Sequence, residues 1–142
     1  MEEIAKVNAV LDELGFPYSH EHVEENVEGY TITLDAGEDL ELDGLLYETE
    51  DGAFFRLLAY VDEVSEERRL EQLTLLLALN GEMPTGAYCL DPEEMVVYTT
   101  VNVPVGELNS DLISWVFEFL FVSQEVYLRE FYGDDAPEEA QG

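Results

Sequence analysis

Apolar residues recur at three- and four-residue intervals from the start of the chain: Ile4, Val7, Leu11 and Leu14, with Gly15 as a stop. This predicts a helix over residues 2–14, after which Phe16 and Pro17 turn the chain. The stretch 18–29, YSHEHVEENVEG, has weak periodicity and reads as a loop or a ragged strand. Strict alternation then sets in, Tyr30, Ile32 and Leu34 against Thr31, Thr33 and Asp35, the signature of a half-buried strand. After a turn over Ala36–Glu38, Leu40 and Leu42 resume the alternation and Leu45 to Tyr47 extend it, with a bulge expected at Gly44. Asp51-Gly52 is a hairpin turn. Phe54 to Val61 follow as a strand apolar on both faces except for Arg56, hence an inner strand. Ser65 can cap a helix over 66–79, which Asn80-Gly81 and Pro84 end. Gly86 to Leu90 and Met95 to Val103 read as two further strands joined by the turn Asp91-Pro92-Glu93-Glu94, and Pro104 and Gly106 lead into a last helix. The order α-β-β-β-α-β-β-α predicts an α+β domain, a mainly antiparallel five-stranded sheet with packed helices.

The last helix, Asn109 to Tyr132, carries the unusual pattern. Asn109 and Ser110 offer an N-cap, Asp111 complements the helix dipole, and Gly133 closes the far end. Leu112, Val116, Phe119, Leu120, Ser123, Val126 and Tyr127 keep helical spacing, yet Ile113, Trp115, Phe117, Phe121, Val122 and Leu128 lie off that stripe. A helix resting on a core shows one apolar face; this one is apolar on nearly every side of its first three turns. Glu118 and the shortness of the run exclude a membrane span, which needs about 20 apolar residues. One face therefore packs on the sheet and another on a second subunit or a client. Leu75, Leu76 and Leu79 widen the stripe of the preceding helix in the same way. Leu75, Leu76, Leu79, Trp115, Phe117 and Phe121 form the candidate partner-binding set. Within it Trp115 is assigned to the contact, because tryptophan is enriched in binding hot spots, and Phe117 to the core.

Charge narrows the range of partners. The chain has 34 acidic against 5 basic residues, a net −29. Phosphate recognition needs a basic surface, so nucleic acid is excluded as a partner, and an anionic membrane is disfavoured for the same reason. Self-repulsion at low ionic strength is severe and salt relieves it. That suits a halophilic cytoplasm or an acidic chaperone. The 142 residues predict one domain over 1–133, followed by an acidic tail over 134–142 expected to be disordered. One cysteine, Cys89, and the lack of a basic-then-apolar leader point to the cytoplasm.

Several of these features occur together elsewhere. A leucine helix ending in Asn80, then Gly86-x-Tyr88-x-Leu90-Asp91, a turn, a long strand and Pro104 before a long helix resemble the YbjN family of bacterial proteins. The order of elements, with the Leu11-x-x-Leu14-Gly15-x-Pro17 exit of the first helix, resembles the type III secretion chaperone-like fold. The likeness covers residues 1–132 and rests on packing patterns. It implies a small, acidic, often dimeric cytoplasmic protein without catalysis. The family is described as sensory-transduction regulators, and the wider fold includes chaperones that hold unfolded segments of secreted effectors. Scarcity of lysine is a departure that neither requires.

Candidate chemistry is thin. Asp39-Leu-Glu41-Leu-Asp43-Gly44, with Glu50 beyond it, nearly fits a calcium loop, but turn signals stand where such a loop needs flanking helices. His20, His22 and Glu24 would share a face of an extended segment, as metal ligands could, but only two histidines exist and an exposed acidic loop is the better reading. Cys89, between Tyr88 and Leu90, reads as a buried strand thiol, and Arg68-Arg69 as local salt bridging at a helix start. No nucleophile or cofactor motif stands out. The expectation is a non-enzymatic protein-binding module, chaperone-like or regulatory, that holds a partner polypeptide on the apolar surface of an acidic homodimer without metal or cofactor. The competing expectation is a metal- or ligand-responsive sensory regulator.

Overall fold

In the computed structural model, residues 2–35 and 40–133 are described. The turn Ala36–Glu38, Asp39 of the calcium-like stretch and the acidic tail 134–142 lie outside them. The elements run α1 (Glu3–Leu14), β1 (Tyr18–Glu24), β2 (Val27–Asp35), β3 (Leu40–Thr49), β4 (Gly52–Glu63), α2 (Arg69–Asn80), β5 (Ala87–Asp91), β6 (Val96–Pro104), a short 3-10 turn (Val105–Glu107) and α3 (Ser110–Tyr132). The sheet has six strands in the order β1-β2-β3-β4-β6-β5, and each neighbouring pair is antiparallel.

The expected five strands are thus corrected to six, the addition being β1, in the stretch taken for a loop or ragged strand. This edge strand is exposed at every residue after its first, so burial imposes no alternation on its sequence. Its pairing comes instead from the tight turn at Glu25-Asn26, where Asn26 takes φ 61°, a left-handed conformation that asparagine tolerates better than most residues. The bulge expected at Gly44 is absent, for β3 pairs in unbroken register from Asp43 to Thr49 with β4. Gly44 makes room instead: a Cβ there would lie 3.0 Å from the ring of Phe55. That ring stands edge-on to Tyr30 with centroids 5.6 Å apart.

Helix ends follow local chemistry. The Asn109 side chain accepts from the Leu112 amide at 2.8 Å, and Gly15 closes α1 at φ 81°. Ser65 does not start α2 directly. Its hydroxyl accepts from Arg68 N at 3.0 Å and organises a turn, so the helix begins at Arg69.

One face of the sheet carries the core. Tyr30, Ile32, Leu42, Leu46, Phe55, Leu57, Val101 and Val103 pack with Val7 and Leu11 of α1 and with Ile113, Val116, Phe117 and Leu120 of α3. A second cluster joins Val61, Tyr88 and Val97 of the sheet to Leu76 of α2 and to Tyr127, Leu128 and Phe131 at the far end of α3. Strand side chains alternate between faces, so Leu45, Tyr47, Phe54, Arg56, Leu58 and Tyr98 point the other way, and none of them belongs to either cluster.

Candidate protein-binding surface

Helix α3 is buried along Ile113, Val116, Phe117, Leu120, Ser123, Tyr127, Leu128 and Phe131. Beside that face runs a second apolar stripe. Trp115 and Val122 are 47% and 48% exposed, and Phe119 between them is half-buried. The Trp115 and Phe119 rings stack, centroids 5.4 Å apart and tilted by 12°. They are four residues apart, which is where helix geometry brings side chains together. Where this stripe meets the end of α2, a groove of about 170 Å³ opens, lined chiefly by Leu79, Met83, Pro84, Phe119, Val122 and Val126. Glu82 stands at its edge, and Glu118 and Glu125 are exposed on the same helix.

The six candidate residues separate accordingly. Trp115 and Leu79 belong to the stripe and the groove. Leu75 is half-buried against the second core cluster. Leu76 and Phe117, 6% and 4% exposed, sit in the core and leave the surface. Phe121 is half-buried but follows Trp115 by six residues, which turns it about 120° away around the helix, and it does not line the groove. Helical spacing puts Leu70, Leu73, Leu77 and Asn80 on the main stripe of α2, but the structure turns two of them outward: Leu70 at 83% and Leu77 at 74% are its most exposed large apolar groups. Only Gln72 and Leu76 of α2 are buried, so its leucine-rich sequence covers far more surface than the domain uses.

A polar clamp fixes the groove. Gln72 is fully buried; its Nε2 donates to Tyr127 Oη at 2.8 Å and to the Glu63 carbonyl at 2.9 Å, while its Oε1 accepts from Ser65 N at 2.8 Å. Tyr127 and Tyr132 donate to Asp62 Oδ2 at 2.7 and 2.5 Å, and burial together with that carboxylate pushes both phenols up from their ordinary range. Tyr88 donates to the Ser123 carbonyl, tying β5 to α3. Arg68 forms the expected local ion pair, with Glu71 at 2.8 Å. It also lies 3.9 Å from the Phe131 ring centre and donates to the Phe131 carbonyl near the end of α3.

The sequence profile of the family described as "YbjN: Putative bacterial sensory transduction regulator" matches residues 3–121. The chain belongs to the YbjN family. Among solved structures, this YbjN chain is similar to one in the "Crystal Structure of the ExsC-ExsE Complex", with a TM-score of 0.54 and 16% identity over 88% of this chain and 92% of that one. The likeness establishes the type III secretion chaperone-like fold. No curated protein matches the sequence. No helix among the described residues is long and apolar enough to cross a membrane.

The histidines of this YbjN chain meet a different carboxylate from the one their spacing suggested. In the β1–β2 register His20 stands opposite Tyr30 and His22 opposite Glu28. The Glu28 carboxylate, on a residue 7% exposed, accepts from His20 Nε2 at 2.7 Å and His22 Nδ1 at 2.5 Å. The His20 ring stacks on Tyr30 at 4.8 Å, and Tyr30 donates to Asn8 of α1. The imidazoles are thereby taken up in pinning the edge strand. Among the described residues no group of three or more His, Cys, Asp or Glu side chains is arranged to hold a metal.

Hydrogen bonds from His22 and then His20 hold the Glu28 carboxyl below its usual 4.5. A depressed carboxylate contributes stability that is present above the unfolded value and lost as pH falls through the folded one. The difference in thermal midpoint between the wild type and Glu28→Gln is therefore expected to shrink as pH falls below 4.5. Midpoints measured from pH 3 to 7 check this, and a difference that does not change with pH would show that the clasp contributes no linked stability.

Proposed function

We propose that this chain is a non-enzymatic protein-binding module, chaperone-like or regulatory, acting in the cytoplasm as an acidic homodimer that holds a partner polypeptide on apolar surface. The observation that carries this reading is the α2–α3 groove with Trp115 and Phe119 stacked beside it. A concave apolar strip rimmed by carboxylates suits a polypeptide segment that presents apolar side chains. Hydrophobic burial supplies the affinity. The net −29 repels acidic chains at long range and favours neutral or basic segments, and it keeps the loaded protein soluble.

Self-association draws on a different surface. Leu70 and Leu77 are seven residues apart and therefore share one side of α2. A convex leucine pair of this kind suits an isologous contact in which α2 packs on its own copy about a two-fold axis. Light scattering is expected to give the mass of a dimer for the wild type in molar salt, and that of a monomer for the Leu70→Gln/Leu77→Gln variant. A wild-type mass that stays monomeric at every salt concentration would remove the homodimer from the reading and leave a client groove alone.

A further inference from the structure

The helix-free face of the sheet holds a cation that pairs with no carboxylate among the described residues. Arg56 lies on β4, an inner strand, opposite Asn102 of β6 and Leu45 of β3. In a chain with 34 acidic residues, no carboxylate among the described residues pairs with it. Its guanidinium carbon lies 5.4 Å from the centre of the Tyr47 ring, and one terminal nitrogen reaches the Tyr47 hydroxyl at a long 3.4 Å. The Nε is buried and makes no hydrogen bond. Two residue pairs further along the same ladder, Thr100 stands opposite Leu58, and its hydroxyl is also buried and unpaired. Arg56 and Thr100 are thus diagonal neighbours on one face, within reach of long side chains. Asn102 adds an amide that already donates to Tyr47 Oη at 2.6 Å.

Buried polar atoms are normally satisfied, and two orphans on one face, one of them in a guanidinium, indicate a missing acceptor. An N–H and an O–H donor next to a fixed positive charge suit a carboxylate, which accepts several hydrogen bonds from such a group. The surroundings suit a polypeptide. Leu45 and Leu58, which flank Arg56, also wall a hollow of about 530 Å³ over Gly29, whose mixed lining adds Val23, Ser19, Thr31 and the carboxyl groups of Glu21 and Asp43. An extended segment places side chains i and i+2 on one face, so an acid on Arg56 leaves room for an apolar neighbour in the hollow.

We propose that Arg56 and Thr100 form a docking point for a carboxylate side chain of a partner polypeptide lying extended on the helix-free face, with an apolar side chain two residues away in the hollow beside Leu45 and Leu58. The surface is separate from the α2–α3 groove and selects the opposite charge. Because the protein as a whole repels anions, recognition here is local, and salt that screens the long-range field leaves the Arg56 contact in place.

The test uses blocked pentapeptides with glutamate or glutamine at the second position, leucine at the fourth and threonine elsewhere, titrated into the isotopically labelled full chain in 0.1 M salt, where the Debye length is about 10 Å. The Arg56 Nε–Hε resonance is the reporter. The glutamate peptide is expected to shift it saturably and to bind roughly tenfold tighter than its glutamine twin, the difference a charge-assisted hydrogen bond supplies. Arg56→Gln, followed through backbone amides of β4 and β6, should erase that preference, and Thr100→Val should reduce it. Sodium acetate at equal concentration should not reproduce the shift. Equal binding of the two peptides, binding of neither at millimolar concentration, a preference that survives both substitutions, or a full response to acetate alone would each overturn the proposal.

Discussion

Replacing Phe117 by alanine should destabilise the fold by about 3–5 kcal/mol, the cost of deleting a buried aromatic ring, while Trp115→Ala should cost only about 1 kcal/mol. The two residues lie two positions apart on α3 and face different surroundings. Phe117 is 4% exposed, sits among the core residues under α1 and stands edge-on to Phe16 at 5.6 Å. Removing it leaves a cavity where α1 meets α3. Trp115 is 47% exposed and touches chiefly Phe119, so truncation removes little area from the isolated chain. Its loss should appear instead in retention of a partner. Urea unfolding followed by circular dichroism separates the two effects, since Trp115 is the chain's one tryptophan and fluorescence cannot report on its own deletion. Equal losses of stability in both variants would mean that the exposed stripe is part of the core, and the binding argument would fall with it.

The second large effect is expected at Gln72. Three hydrogen bonds converge on a side chain with no exposed surface, and they tie the end of β4, the turn before α2 and the far end of α3 together. Gln72→Ala removes about 1 kcal/mol for each bond and leaves a cavity and stranded partners, about 3–4 kcal/mol altogether. Gln72→Glu should be nearly as harmful. A carboxylate can still accept from Ser65 N but cannot donate to Tyr127, and it places a charge near Asp62, which already accepts from Tyr127 and Tyr132. Both variants are measured by urea unfolding. A loss below 1 kcal/mol for the alanine variant would show that water replaces the amide and that the clamp does not hold α2 against α3.

What the sequence disclosed follows from where burial imposes a pattern. The strands from β2 to β6 and the helices α1 and α3 are legible because a face of each meets a core, while the leucine stripe of α2 misleads because Leu70 and Leu77 stay exposed; the Asn109 cap and the Gly15 stop are local chemistry legible without a partner. Strand β1 is exposed along nearly its whole length, so nothing wrote an alternation into it, and only Asn26 marked the turn that pairs it. The proposed partner-binding surface was legible as an excess of apolar residues but not as a location. Periodicity cannot tell Phe117, which faces α1, from Trp115, which faces solvent, because the distinction depends on which flank of α3 the neighbouring helix covers. Gln72 and Glu28 escaped for a related reason. A buried polar residue in an acidic segment looks like surface until its partners, fifty-five residues away in Tyr127 and on the neighbouring strand in His22, are in place. Arg56 was visible as the exception in an apolar strand, but that its Nε is buried and unpaired is a property of the folded sheet.

Purification of the chain from its native host at native salt, with the mass of the intact complex measured for wild type and for Trp115→Ala, tests the central claim most directly. The account predicts that the wild type carries a second polypeptide in fixed stoichiometry. It also predicts that Trp115→Ala, with a thermal midpoint within a few degrees of the wild type, loses that polypeptide but keeps the mass of its own oligomer. A partner retained equally by both, or a wild-type preparation that contains only copies of this chain, would contradict it.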